Sequence, residues 1–390
     1  MKVALIGNLA GVSNDILSEL RTRGVEADLF VNMAEAANTK NGFSDGLSIK
    51  ESWIHIVTPP ADPKSGSRVS LFIGQLQRFR FQLKLVRQLM RYDVLHSNSG
   101  SLTYPSLLYL IFVVLKRKAY LAFATGSDIR EGASQASNRQ GKQLRKFFCG
   151  ARRVYLLNAD MVALPFIASL KHAVFFPFAI NEKRFSPSSQ LSRPDIYEGK
   201  LLCFMMSNLD FGITDNWPGR NSMKFNDRFI RAMANYVKKE PRFHAIILDR
   251  GSDRHIARQM VADLNLNTHV TFLPSLSQTD RIRYMTMADI IVDQFHLGCF
   301  GLGALEALSM GKTLITYFNK DFISRSYADE IPILNSKTED DVLAALEIAH
   351  NPEFRKEIGL KAREWILKHH ARQIVLDRLI TIYRESMEME

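Results

Sequence analysis

The chain of 390 residues carries 51 Lys and Arg against 40 Asp and Glu, which gives a formal net charge of +11, and 46% of its residues are hydrophobic. This composition is typical of a globular protein with a basic bias, and it excludes disorder, collagen and coiled coil as the main architecture. At about 150 residues per domain, the length predicts two domains that each bury their own core.

Cysteine usage and the apolar runs indicate the compartment. Cys149, Cys203 and Cys299 are far apart and lack the paired spacing of a zinc site or a redox motif, so a reducing compartment is expected. The longest apolar run, Leu107 to Leu115, has nine residues, whereas a membrane-spanning helix needs about 20. The first apolar run is too short for the core of a signal peptide. The sequence therefore predicts a cytoplasmic protein.

Short apolar, β-branched or aromatic runs alternate with longer stretches of helical period. This alternation is typical of βαβ units and a parallel sheet. The first series of predicted strands comprises Lys2 to Ile6, Ala27 to Val31, Trp53 to Val57, Asp93 to His96, Ala119 to Ala124, Arg153 to Leu157 and Val174 to Phe178. The second series comprises Leu201 to Met206, His244 to Leu248, Val270 to Leu273, Ile290 to Gln294 and Thr313 to Tyr317.

A segment rich in Ser, Pro and charge separates the two series. We therefore predict an N-terminal domain over 1–180, a linker over 181–200, a C-terminal domain over 201–369, and a C-terminal helix over 370–390 that returns to the first domain. The expected fold class is α/β, with two Rossmann-like, doubly wound parallel-sheet domains facing each other across a cleft. Ligands of such sheets bind beyond the carboxyl ends of the strands.

The strongest local motif runs from Ile291 to Lys312. It reads as a strand, a glycine-rich turn, a helix with Glu306 in its first turn, and a glycine before the next strand. Glycines let the backbone approach a ligand closely, and a helix N-terminus favours an anion. A phosphate or diphosphate is therefore expected here. A plain βα turn, with Glu306 complementing the helix dipole, explains the pattern as well.

The stretch from Glu306 to Ile315 resembles the nucleotide-sugar site of GT-B glycosyltransferases, and of glycosyltransferase family 4 in particular. The segments Val174 to Pro187 and Asn351 to Arg363 resemble the interdomain segment and the C-terminal helices of that family. The resemblance implies a second domain that binds a nucleotide diphosphate-sugar, with UDP or GDP as the expected nucleotide and with no other cofactor and no metal. It implies that Glu306 binds the ribose and that the backbone of Gly301, Leu302 and Gly303 binds the diphosphate.

A basic cluster follows the first strand of the second domain. In the family an Arg and a Lys in this region clamp the donor diphosphate, because the charge of the leaving group must be neutralised. The resemblance points to Arg220 and Lys224. The Arg-to-Lys spacing is shorter than usual and Phe225 stands where the family has glycine, so Lys224 is the stronger candidate. A solvated pair on a loop is the alternative.

Two further positions depart from the family pattern. The family often has two glutamates separated by seven residues, and Gly298 stands at the first position. His296 is a candidate to compensate, as is Asp293, although Asp293 also fits a buried strand end. Thr125 stands where many relatives carry a histidine that touches the sugar.

Polar residues follow other strands of the first domain. Asp128 is predicted to meet the acceptor or the donor sugar, with helix capping completed by Glu131 as the alternative. His96 occupies a similar position, although a single histidine at a strand end is more often structural. The turn after the first strand carries Asn8 and Gly11. In the family this turn reaches the donor phosphate. This turn lacks the full G-x-G-x-x-G spacing, which disfavours a dehydrogenase.

The first domain also carries basic stretches without acidic residues. One predicted helix places an apolar series beside a basic series, namely Leu76, Phe79, Leu83, Val86 and Met90 beside Arg80, Lys84, Arg87 and Arg91. Further basic residues cluster at 116–118 and 139–153. Such a helix attracts anionic lipid headgroups, and a solvated face beside a core face explains it equally well.

We interpret the chain as a glycosyltransferase that moves a sugar from a nucleotide diphosphate-sugar to a hydroxyl of a glycan or lipid-linked acceptor. Resemblance to family 4 implies retention at the anomeric carbon. The expected location is the cytoplasm or the inner face of the membrane. No nucleic acid partner is expected, because no recognised motif or exposed aromatic platform accompanies the basic residues. The alternatives are a nucleotide-sugar epimerase of the same fold and a catalytically silent binding subunit.

Overall fold

The computed structural model describes residues 1–8, 12–32, 51–57, 68–98, 119–126, 128–134, 137, 139–170, 172–188, 193–211 and 223–388. The chain divides into two compact units. The first unit comprises Met1–Leu157, Ala163–Phe176 and Leu376–Glu390, and the second comprises Asn158–Val162 and Pro177–Val375.

The first unit contains a parallel sheet of seven strands in the order β3-β2-β1-β4-β5-β6-β7. The strands are β1 Lys2–Ile6, β2 Glu26–Val31, β3 Ile54–Ile56, β4 Val94–Asn98, β5 Ala119–Ala124, β6 Arg153–Leu156 and β7 Ala173–Phe175. Its helices are α1 Val12–Thr22, α2 Arg68–Leu89, α3 Arg139–Gly150 and α4 Pro165–Ala168, with a π-helical turn over Asp128–Ala133. The direction of winding reverses between β1 and β4, which is where a doubly wound sheet places its ligands.

The second unit contains a parallel sheet of six strands in the order β10-β9-β8-β11-β12-β13. The strands are β8 Leu201–Met205, β9 Phe243–Leu248, β10 Val270–Leu273, β11 Ile290–Val292, β12 Thr313–Thr316 and β13 Leu334–Asn335. The helices are α5 Asp227–Tyr236, α6 Arg254–Asp263, α7 Gln278–Met287, α8 Leu302–Ser309, α9 Lys320–Ser326, α10 Glu339–Ala349 and α11 Pro352–His369. A last helix, α12 Arg372–Glu388, begins in this unit and continues into the first. Here the winding reverses between β8 and β11.

The predicted fold class is confirmed in its two parallel-sheet α/β units. Every predicted strand occurs within three residues of its expected bounds. The prediction missed β13, which pairs with β12 through Leu334 and Asn335 alone. Two residues are too few to show a strand period.

Helix α2 exposes part of the apolar series predicted for it. Leu76, Phe79 and Leu83 are exposed, Val86 and Met90 are half-buried, and Leu85 and Leu89 are buried. Spacings of three or four residues place each set on one face of a helix, so the period alone predicts a helix without deciding which face packs. Across the described segments, no helix is both long enough and apolar enough to cross a membrane.

Candidate functional site

The predicted site residues of the second unit meet at the carboxyl edge of its sheet, where the winding reverses. The segment that follows β8 and the segment that follows β11 are joined by a backbone hydrogen bond, in which the Phe295 N–H donates to the Lys224 carbonyl at 2.8 Å. Helix α8 begins nearby, after the glycine-rich turn. Lys224, His296, Gly301, Leu302, Gly303 and Glu306 therefore belong to one edge of one sheet.

The glycine-rich turn explains the absence of the first family glutamate. Gly298 has a φ of +70°, and a Cβ atom built on it would lie 2.8 Å from the Asn319 Cβ and 3.3 Å from Cε1 of Tyr317. A glutamate at this position would be both strained and crowded. Further along, a Cβ atom on Gly303 would lie 3.1 Å from the Met206 Cε. Packing and the positive φ therefore require glycine at position 298, whereas a side chain at position 303 would meet only the flexible end of Met206.

A carboxylate lies close to the N-terminus of α8. A Cβ atom built on Gly301 would lie 3.4 Å from Oδ2 of Asp293, and this oxygen is buried without a hydrogen-bond partner among the described residues. Burial raises the pKa of this carboxyl group, and the charge of Lys224, the Gly301 N–H and the charge of Arg250 act in the opposite direction.

Lys224 is held at this edge by its backbone and by its side chain. Its N–H donates to the Asp210 carbonyl at 2.9 Å, and its ammonium group donates to Oε1 of Gln294 at 3.1 Å. Gln294 in turn donates to the Cys299 carbonyl within the glycine-rich turn. The half-buried ammonium group is therefore directed at the start of α8, where its charge also acts on Asp293.

Glu306 lies in the second turn of α8, so its expected place in the first turn is wrong. The helix begins at Leu302, four residues earlier. The Glu306 side chain is largely buried and forms a bidentate ion pair with Arg281 of α7, with an Nη2 to Oε1 distance of 3.2 Å and a second contact between Nη1 and Oε2. This geometry fixes the orientation of the carboxylate.

Two arginines of this site were missed by the sequence reasoning. Arg250 follows β9 and donates from Nη2 to the Met206 carbonyl at 2.8 Å, while its Nε is buried and has no partner in the described part of the chain. Burial and the charge of Arg281 lower the pKa of Arg250, and Asp293 and Asp210 oppose this. The available signal was position, because Arg250 and Arg281 follow strands of the same sheet and carboxyl ends of parallel strands share one edge.

His296 is exposed and packs on the ring of Phe225, with the ring centroids 4.4 Å apart. Partial burial lowers the pKa of His296, and the positive charges of Arg228 and Lys337 lower it further. At neutral pH the ring is therefore uncharged, with one nitrogen able to donate and the other able to accept.

His96 lies in the core of the first unit. Its side chain is completely buried and stacks on Phe123 with centroids 3.7 Å apart, and its ring nitrogens hydrogen-bond to the Tyr383 hydroxyl at 2.6 Å and to the Asn98 amide oxygen at 3.1 Å. Burial lowers the pKa of His96 to about 3. The ring offers no exposed edge to a substrate, and this placement matches the structural alternative.

Asn8 and Asp128 follow the central strands of the first unit. Asn8 is 3% exposed, accepts a hydrogen bond from the Asn14 N–H at 3.3 Å, and has a buried Nδ2 with no partner among the described residues. The Asp128 carboxylate accepts hydrogen bonds from the N–H groups of Thr125, Gly126 and Ile129, at 3.3, 2.8 and 3.0 Å. Asp128 thus stabilises the turn after β5, and its contact with a substrate stays a prediction. Gly11 and Arg220 lie outside the described residues.

Comparisons with known proteins agree with this architecture. The structure of sucrose-phosphate synthase from Thermosynechococcus elongatus superimposes on the whole chain with a TM-score of 0.67 at 16% identity, and both chains are fully covered. That of WaaG, a glycosyltransferase involved in lipopolysaccharide biosynthesis, has a TM-score of 0.60 at 14% identity and covers 98% of this chain and 99% of its own. The chain has the GT-B fold.

A family model matches the part of the chain that carries the site described above. Residues 220–365 match the family model described as Glycosyl transferases group 1. D-inositol 3-phosphate glycosyltransferase of Saccharomonospora viridis is 29% identical over an alignment of 177 residues, which covers 42% of this chain. The aligned region spans 41% of the length of that relative.

Proposed function

We propose that this protein is a glycosyltransferase that moves a sugar from a nucleotide diphosphate-sugar to an acceptor hydroxyl. The observation that carries the proposal is the meeting of Lys224, the start of α8 and Glu306 at the point where the second sheet reverses its winding. A doubly wound sheet binds nucleotides at this point. The match of residues 220–365 to the glycosyl transferases group 1 supports the same reading.

In this proposal the second unit binds the donor. Lys224 and the backbone of Gly301, Leu302 and Gly303 bind the diphosphate, Arg220 adds a second cation, and Glu306 accepts hydrogen bonds from the ribose hydroxyls. The bond between the anomeric carbon and the diphosphate oxygen breaks, and the negative charge that develops on the diphosphate is neutralised by these groups, without a metal. UDP or GDP is the proposed nucleotide.

The proposed transfer retains the configuration of the anomeric carbon, as the resemblance to family 4 implies. The acceptor oxygen forms its bond on the face from which the diphosphate leaves, and the acceptor proton passes to an oxygen of the departing diphosphate. The products are the glycosylated acceptor and the protonated nucleoside diphosphate. No side-chain base is required, which suits a chain that carries Thr125 where many relatives have a histidine.

Nucleotide release tests the donor assignment. Purified protein is incubated with UDP-, GDP-, ADP- and dTDP-sugars, with and without cell lipid extract, and free nucleotide diphosphate is measured. We expect release from one donor, with at least a tenfold loss in Lys224→Met and in Glu306→Gln, a variant that keeps a hydrogen-bonding partner for Arg281. Lys238→Met and Glu357→Gln alter exposed residues and serve as controls.

The other outcomes separate the alternatives. Tight binding without release, even with lipid extract, would favour the silent subunit. Conversion of the sugar without release would favour the epimerase. Absence of binding to all four nucleotides would contradict the donor site itself.

For the acceptor we propose a glycan or lipid-linked molecule at an anionic membrane surface. Helix α2 carries the support: its apolar residues Phe72, Leu76, Phe79 and Leu83 are exposed, with Phe72 at 65% and Phe79 at 53%. The exposed basic residues Arg80, Lys84, Arg87 and Arg91 follow the same spacing, and no acidic residue occurs from Arg68 to Tyr92. An apolar strip beside cations suits insertion among anionic headgroups.

Vesicle sedimentation tests this surface. The protein should bind vesicles of phosphatidylglycerol much more tightly than vesicles of phosphatidylcholine. At about 1 kcal/mol for each basic residue, the triple variant Arg80→Gln, Lys84→Gln, Arg87→Gln should lose roughly 100-fold in affinity, whereas Lys238→Gln in the second unit should lose little. Equal binding to both lipids, or an unchanged triple variant, would contradict the proposal.

A further inference from the structure

The backbone at Phe225 has a conformation that a phenylalanine rarely adopts. Its φ is +52°, and among the described residues other than glycine only Asn265 shares a positive φ. Asparagine tolerates this region, whereas a bulky side chain is disfavoured there. Backbone strain of this kind persists only where the surroundings impose it, and it is frequent at functional sites.

The surroundings fix Phe225 from two sides. The N–H groups of Lys224 and Phe225 both donate to the Asp210 carbonyl, at 2.9 and 3.1 Å, and the Lys224 carbonyl accepts the Phe295 N–H at 2.8 Å. The Asp210 carboxylate is itself anchored by the N–H and the hydroxyl of Ser252, at 3.0 and 2.9 Å. The turn that places Lys224 therefore also sets the direction of the Phe225 side chain.

The Phe225 ring supports His296. The two ring centroids are 4.4 Å apart with an interplanar angle of 35°, and the Arg228 guanidinium lies 5.0 Å from the centre of the Phe225 ring. Arg228 also donates to the Phe295 carbonyl at 3.0 Å, which ties it to the same segment as His296. Phe225 is half-buried within this stack, and His296 is its exposed member.

We infer that Phe225 is a positioning residue that holds the ring of His296 as a wall for the sugar of the donor. The inference rests on the proposed function, because it places the sugar beside the diphosphate that Lys224 binds. The electron-rich face of an aromatic ring packs well on the C–H face of a pyranose. An uncharged imidazole adds one hydrogen-bond donor and one acceptor for sugar hydroxyls. A glycine at position 225 could adopt the same backbone but could not support the ring.

Paired binding measurements test the inference. Calorimetry gives the dissociation constants of the free nucleotides UDP, GDP, ADP and dTDP and of their glucose conjugates. The N-acetylglucosamine conjugate of UDP and the mannose conjugate of GDP are measured as well. The quantity of interest is the affinity gained from the sugar, which is the ratio of the two constants. We expect Phe225→Ala and His296→Ala to reduce this gain about tenfold for the conjugate that the wild type binds best, with affinity for the free diphosphate changed less than twofold.

Three further variants separate positioning from folding. His296→Phe keeps a ring and should retain most of the gain, as should Phe225→Tyr. Phe225→Gly relieves the strain of the positive φ, so it should melt at a higher temperature than Phe225→Ala. It should lose the same share of the affinity gained from the sugar. Ile196→Ala, at a residue 64% exposed on the same unit, is the control.

Each remaining outcome decides against the inference or its premise. A parallel loss of affinity for diphosphate and conjugate would assign Phe225 to the phosphate site and overturn the sugar wall. The sugar wall would also be overturned if the wild type gained no affinity from any sugar, or if the variants kept the full gain in affinity. A wild type that binds none of the four nucleotides would overturn the proposed function, and the sugar wall with it.

Discussion

Arg281 and Glu306 form a bidentate ion pair that links helix α7 to helix α8, and the two side chains are only 14% and 9% exposed. A charge buried this far is costly once it loses its partner. The pair therefore couples the orientation of the proposed ribose ligand to the stability of the second unit.

We expect Arg281→Leu to lower the free energy of unfolding by about 3 kcal/mol, because it removes the ion-pair partner of the buried Glu306 carboxylate. Urea denaturation measures the change. The matched control is Arg258→Leu, which breaks the pair of Arg258 with Asp249 where the arginine is 54% exposed, and it should cost at most about 1 kcal/mol. The double variant Arg281→Leu, Glu306→Leu should recover most of the loss. Similar losses in Arg281→Leu and Arg258→Leu would contradict this account.

Restoring the family glutamate at position 298 should fail. Gly298→Glu and Gly298→Ala place a Cβ atom 2.8 Å from that of Asn319 on a backbone with a φ of +70°, so both should be destabilised by about 2 to 4 kcal/mol. Gly199→Ala isolates the backbone cost, since Gly199 has a φ of +66° with nothing within 4 Å of its Cβ. It should cost only about 1 kcal/mol. An increase in nucleotide release by Gly298→Glu would show that the glutamate is missing for a different reason.

The elements that could be predicted from the sequence are those whose signal is local. Strands such as β8 and β11 are continuous apolar runs buried in a parallel sheet, and the glycine-rich turn with α8 forms one contiguous motif. Lys224 and Glu306 became candidates through the family resemblance of the segments that follow these strands, and His296 because it lies four residues after β11. Their common edge then follows from the rule for parallel sheets.

Two kinds of feature could not be predicted from the sequence. One is a contact that depends on the order of the strands, and the other is the choice of the buried face where a helix has two equally regular apolar series. Arg281 lies 25 residues before Glu306, and the two meet because the sheet order brings β10, β9, β8 and β11 together. His96 satisfies both ring nitrogens through Tyr383, 287 residues away, and through Asn98. Helix α2 contains two apolar series, and its period does not reveal that Leu85 and Leu89 are the buried one.

A close backbone approach makes Gly359 of α11 irreplaceable. A Cβ atom on Gly359 would lie 2.2 Å from the Gly311 carbonyl oxygen. In an open helix a change from glycine to alanine adds about 1 kcal/mol of stability. Here the sign should reverse, and Gly359→Ala should lose at least 2 kcal/mol, measured by urea denaturation. The neighbouring Leu360, 61% exposed, gives the control Leu360→Ala, which should change stability by less than about 0.5 kcal/mol. A stabilised Gly359→Ala would refute the close contact.

The buried carboxyl group of Asp293 should make stability depend on pH in a direction opposite to that of Asp341. Burial raises the pKa of Asp293 in the folded state above its ordinary value of 3.8, so the folded protein holds a proton that the unfolded chain has released. The stability from this proton is fully present below the unfolded pKa and is lost as pH rises through the folded pKa. Asp293→Asn should therefore gain stability relative to the wild type as pH rises from about 4 to 7. Backbone and side-chain hydrogen bonds of Thr338 lower the pKa of Asp341 below its ordinary value of 3.8. Asp341→Asn should therefore lose stability relative to the wild type as pH rises, but mainly from about 2 to 4, because the stability from this carboxylate is fully present above the unfolded pKa. Urea denaturation at each pH decides the matter, and a difference between Asp293→Asn and the wild type that is constant with pH would mean that Asp293 does not titrate as the structure indicates.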